Sequence, residues 1–147
     1  MSKEVREQFQ TDPARWVEEE VKAFTGKSPL GNMPPFRDYR IFGEPVVSFA
    51  DGDDPIFTKF KTAIAPTHLT PREAMAEALN KRPEELPAHL SVISWVLPVS
   101  EKTRESMRSQ TTVPSRQWVN TRWSGEIINL ALRTHLVDII TGMGHLA

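Results

Sequence analysis

The sequence predicts a helix-rich α/β domain with few strands, with α+β as the alternative, and three observations carry that reading. Residues 115–141 form one long helical segment, closed by Gly142 and Gly144. Residues 90–97, LSVISWVL, are apolar at both parities, as in a strand covered on both faces. Asp12-Pro13, Asp54-Pro55 and Thr70-Pro71 each place a capping side chain before a proline suited to a first helical turn.

The elements follow in order. Residues 3–10 and 13–24 read as helices, the second with Trp16, Val17 and either Ala23 or Phe24 on an apolar side. The stretch Lys27 to Pro45 carries Pro29, Pro34, Pro35 and Pro45, and reads as an extended, irregular segment that wraps a surface. Residues 46–49 are a short strand. A helix then starts at Asp53-Asp54-Pro55, with Phe57, Phe60 and Ile64 at helical spacing. Thr70 and Glu73 have the spacing of a capping box, predicting a helix to about Asn80. In the long helix the apolar residues divide into two stripes. One is Val119, Trp123, Ile127, Leu130 and Val137; the other is Ile128, Leu132, Leu136 and Ile139. A polar strip of Arg122, Glu126, Asn129 and Arg133 lies between them. Two stripes predict a helix wedged between layers, with the strip internally paired. The division expected is a helical, Pro-rich segment 1–45 and the front part of a reductase-like α/β domain at 46–147. A doubly covered strand also needs sheet neighbours. The expectation is therefore a front part of a longer, truncated protein, rather than a sheet completed by another chain.

Composition narrows the chemistry. A chain of 147 residues with 18 basic and 19 acidic side chains lacks the basic excess of a nucleic-acid partner. It has no cysteine, so it offers no thiolate for an iron–sulfur cluster, a zinc site or a nucleophile. A reducing, cytoplasmic setting is expected. The N-terminus MSKEVREQFQ is charged and lacks a signal-peptide core.

Several short motifs have plainer explanations than a functional site. Gly26-Lys27-Ser28 resembles the end of a phosphate-binding loop, but Val21 stands where the first glycine belongs. Asp51-Gly52-Asp53-Asp54 hints at calcium, but Ile56 and Thr62 occupy the positions for glycine and glutamate. Helix capping is the better account of those aspartates. His68, His89, His135 and His145 show no paired ligand spacing, so no metal residue is assigned. Lys102, Arg104, Arg108, Arg116, Arg122 and Arg133, interleaved with Trp118 and Trp123, suit either a solvated, ion-paired set or contacts to phosphate or a flat aromatic ligand.

The strings Val46–Pro55, His68–Glu73 and Ser91–Pro98, and Pro114-Ser115-Arg116 followed by Trp118, Arg122, Gly125-Glu126 and Asn129, together resemble a family. They are similar to the N-terminal region of iron–sulfur proteins related to epoxyqueuosine reductase, a group that also resembles the corrinoid-dependent reductive dehalogenases. The resemblance implies a nitroreductase-like α/β domain that binds cobalamin, followed by a ferredoxin-like domain carrying two [4Fe–4S] clusters. It implies an oxidoreductase when complete, and a chain that is not catalytic alone. No catalytic residue is assigned here. Ser115, Arg116, Trp118 and Arg122 are the candidate cofactor contacts, because they head the long helix, whose first amides favour an anionic group. The partner expected is the missing C-terminal region or another subunit, a homo-oligomer included, and no membrane. The alternative is a stand-alone interaction module completed by oligomerisation. A weaker third reading is a phosphate- or RNA-binding fragment.

Overall fold

The structure, a computed structural model, describes residues 3–33 and 36–147. The chain forms two compact units, one from segments 1–47 and 95–147 and the other from 48–94.

The first unit is helical. Helix α1 (Lys3–Thr11) and helix α2 (Pro13–Lys27) are separated by Asp12, whose non-helical backbone breaks the helix while its carboxylate accepts the Arg15 N–H at 3.0 Å. Pro13 then costs nothing, since its missing donor would have been unpaired. The Phe9 and Trp16 rings meet edge to face, with centroids 5.3 Å apart, which ties α1 to α2. Trp16, Val17, Val21 and Thr25 form the buried face of α2.

The segment Lys27 to Pro45, expected to be irregular, contains more order than that. Ser28 caps a 3-10 turn at Pro29–Gly31, and strands β1 (Asn32–Met33) and β2 (Phe36–Arg40) then pair antiparallel, Asn32 opposite Arg40 and Met33 opposite Phe36. Pro34 and Pro35 lie outside the described residues. The hairpin is closed by the Ile41 N–H donating to Gly31 O at 3.0 Å. Ile41 itself is fully buried.

The closing half of this unit holds helix α5 (Glu101–Arg108), which sequence periodicity did not indicate. The reason is physical: only Thr103 of its residues is buried, so there is no apolar stripe to read. Thr103 is held in a hydroxyl cluster with Tyr39 and Ser100, and Glu101 pairs with both Arg104 and Arg108. Helix α6 (Arg116–Gly142) is 27 residues long, about 40 Å. Ser115 caps it through the Trp118 N–H at 3.1 Å.

The wedged position expected for α6 is corrected by the structure. Ile128, Leu132 and Leu136 are buried, with α2 packed against the helix, whereas Val119, Trp123, Ile127, Leu130 and Val137 all stay exposed. Periodicity reports which faces are apolar, and tertiary packing decides which of them is covered.

Strand β3 (Val46–Asp51) and strand β4 (Ser91–Val96) form a two-stranded sheet, in which Val46, Val47, Trp95 and Val96 belong to the first unit and the other residues to the second. The Gly52 N–H bonds Leu90 O at 2.8 Å just beyond the paired ends, so the strands run antiparallel. The expectation of a doubly covered central strand fails, because no residue of β4 is buried and it pairs only with β3 among the described strands. Helix α3 (Pro55–Ala63) is capped by Asp54, which accepts the Ile56 N–H at 2.8 Å, as the capping reading of the aspartate cluster anticipates. Helix α4 (Pro71–Ala78) opens on the anticipated capping box between Thr70 and Glu73. Arg72 clasps the second unit: it grips Asp53 through two bonds of 2.7 and 2.6 Å and reaches the carbonyls of Pro83, Pro87 and Ala88. At coarse level the molecule is a mixed, helix-rich structure with small two-stranded sheets.

Candidate functional site

A groove of about 370 Å³ lies within the first unit, along the first four turns of α6. Trp118, Arg122, Glu126 and Asn129 line it from the helix, and Phe42 and Trp95 line it from the segments opposite. The three helix residues Arg122, Glu126 and Asn129 stand four and three apart, so one face of α6 presents them together.

Each wall has an evident cause. The Trp95 indole N–H donates to Asn129 Oδ1 at 2.9 Å, which pins the ring to the helix. Phe42 is fixed by an antiparallel bridge to Val99 and by the Gly43 N–H donating to Pro98 O at 2.8 Å. Its ring then lies on Gly125, where a Cβ would stand 3.1 Å from Phe42 Cζ. A glycine inside a helix costs about 1 kcal/mol against alanine. Here the missing side chain is what admits the ring. Thr121, only 6% exposed, also belongs to the groove wall, and its buried hydroxyl has no hydrogen-bond partner.

The four candidate contacts do not stay together. Trp118 and Arg122 are brought together in the groove. Ser115 is buried, with its hydroxyl on the Trp118 N–H and 2.8 Å from the hydroxyl of Ser106, so it holds the helix start. Arg116 is exposed and does not line the groove. The internal pairing expected for the polar strip is not formed. Arg122 and Glu126 are exposed and make no ion pair with each other, and Asn129 bonds Trp95 instead. Phe42, Trp95 and Thr121 were not singled out by sequence reasoning. Nothing in the sequence marks Phe42, whereas Asn129 and Glu126 share the periodicity of Arg122.

A second cavity of about 450 Å³ in the same unit is bordered by Lys22, Thr25, Arg40 and Glu44. Its cations are already engaged. Lys22 pairs with Glu18 at 2.8 Å and Glu44 at 2.9 Å, which raise its ammonium to about 12, and Arg40 donates to the Thr25 carbonyl. His135 stacks on Phe24 and lies 3.3 Å from Glu20, the ordinary hydrogen-bonded histidine anticipated for it. Among the described residues no three His, Asp or Glu side chains converge as a metal-ligand set, and no helix is long and apolar enough to cross a membrane.

The first groove therefore offers aromatic surface, a guanidinium, a carboxylate and a carboxamide. That set suits binding of a flat group with an anionic substituent, by stacking and charge-assisted hydrogen bonds. No family model matches the chain, and neither a curated protein nor a solved structure matches it.

Proposed function

We propose that this chain is the N-terminal part of an iron–sulfur, corrinoid-type reductase-like protein, and that its groove supplies one wall of a cofactor site. One observation carries the reading. Two separate strings that bear the family resemblance, Ser91–Pro98 and Pro114–Asn129, contribute Trp95 from one and Trp118, Arg122, Glu126 and Asn129 from the other to the same groove. The nitroreductase-like fold and cytoplasmic setting belong to the same proposal. At about 370 Å³ the groove lies at the small end of ligand pockets, roughly 300–1,000 Å³. These residues fit a flat fragment with an anionic arm and do not enclose a corrinoid, so no reaction step is assigned through that group. The chain's own contribution is to bind and orient.

Calorimetric titration of the purified chain with hydroxocobalamin, and separately with flavin mononucleotide as a flat phosphate-bearing probe, tests this. Binding of either, weakened at least tenfold by both Trp118→Ala and Arg122→Met, is the expected result. Folded protein that takes up neither probe would overturn the groove assignment.

The second reading, an interaction module completed by oligomerisation, is favoured by the exposed apolar row on α6.

A further inference from the structure

The exposed row on α6 has a register. Asn120, Trp123, Ile127, Leu130, Thr134, Val137 and Thr141 follow one another at spacings of three and four, the seam of a two-helix coiled coil. Trp123 is 78% exposed, Leu130 55%, Val119 54% and Ile127 46%. A tryptophan left this bare along an apolar row is unusual on a finished surface. The row is on the side of α6 away from Ile128, Leu132 and Leu136, the residues buried within its own unit.

We propose that this face is the homodimer interface of the chain, and that α6 pairs antiparallel with α6 of a second copy. The proposal rests on the second reading above, and of its residues only Glu126 also lines the groove. Three points select a second copy. An antiparallel register that sets Ile127 against Leu130 of the second copy also sets Trp123 against Thr134 and Asn120 against Val137, in one symmetric arrangement. That same register brings the flanking Glu126 opposite Arg133 of the second copy, and by symmetry does so twice. The charges at the two flanks are therefore complementary to themselves, as an isologous interface requires. The third point is area. With a fully exposed tryptophan near 250 Å² and aliphatic side chains somewhat smaller, the row presents on the order of 500 Å² per copy, so pairing would remove about 1,000 Å², the threshold of a specific interface.

Sedimentation equilibrium of the full chain, with circular dichroism as the check on folding, decides the matter. The wild-type chain is expected to dimerise at micromolar concentration. Trp123→Glu, at a site already exposed, should leave the dichroism unchanged and give a monomer. Glu126→Lys alone places Lys opposite Arg133 and should raise the dimer Kd at least tenfold, and Glu126→Lys with Arg133→Glu in one chain should recover it. A parallel pair would set Glu126 opposite Ala131 and be indifferent to Glu126→Lys, so that indifference would overturn the arrangement. A chain monomeric at 100 µM (roughly a hundredfold above the expected range), a polydisperse assembly, or a dimer untouched by Trp123→Glu would overturn the interface itself. Trp123 lies outside the groove whereas Glu126 lines it, so it is the Trp123→Glu outcome, read beside probe binding, that lets the two proposals fail independently.

Discussion

Thr121 carries the one buried side-chain polar atom without a hydrogen-bond partner among the described residues. A hydroxyl in that state has given up water without replacement, at a cost of about 1–3 kcal/mol. Valine has nearly the same shape and the same β-branching, so helix propensity changes little. Thr121→Val should therefore raise stability by about 1 kcal/mol, seen as a higher denaturant midpoint at unchanged slope. A loss of stability would show that the hydroxyl is satisfied in solution. Gly125, about one turn further along, gives the complementary lesson. A residue that looks like a helix defect in one dimension is a contact site in three, because the Phe42 ring occupies the space of its side chain.

Two elements show how far helical pattern reaches. On α6 the sequence placed Arg122 and Glu126 four apart on a strip between apolar stripes, which suggested a desolvated pair. With one stripe uncovered, both side chains face solvent and do not pair. A double-mutant cycle of Arg122→Met and Glu126→Gln should give a coupling below about 0.5 kcal/mol, the range of exposed helix pairs. A coupling of several times that would restore the buried pair. On α4 the pattern reached further. Thr70, Pro71 and Glu73 specify the helix start by local chemistry alone, and the structure contains both halves of the capping box. Arg72, within the same string, acts at long range on Asp53 and three carbonyls, and no local signal announces it.

For the molecule as a whole, ion pairs set an acid limit. Glu73 is lowered from 4.5 to about 2, first by the Lys61 ammonium at 2.8 Å and then by the Thr70 N–H. Asp53 is lowered by Arg72, Glu85 by the backbone and side chain of Arg82, and Glu101 by Arg104 and Arg108. Each folded carboxylate releases its proton more readily than the unfolded chain does. In that window the unfolded state binds more protons, so stability rises with pH. The contribution is complete above the ordinary carboxylate range and is lost as pH falls from about 5 toward 2. Asp53, Glu85 and Glu101 are exposed and Glu73 is half-buried, so salt weakens the effect. Denaturant midpoints measured between pH 7 and 2.5 (roughly the span of these titrations) should fall steeply below about pH 5. Glu73→Gln should lie lower at neutral pH and show a shallower fall, and an unchanged slope would remove Glu73 from the account.

By itself the sequence determined the elements whose causes are local. These are the helix starts at Pro13, Pro55 and Pro71, the full length of α6 between Ser115 and Gly142, and the strands near Val46 and Ser91, because caps, prolines and periodicity act over a few residues. It also brought Trp118 and Arg122 forward as site candidates. Only the tertiary structure decided which face of α6 is covered, and that Ser115 supports the helix while Phe42, Trp95 and Asn129 complete the groove. Those outcomes depend on contacts between segments some 30 to 80 residues apart, such as Trp95 with Asn129 and Phe42 with Gly125, and no local pattern encodes them. The short hairpin and α5 belong to the same group, since neither has a continuous apolar stripe, and each is held by hydrogen bonds to distant chain.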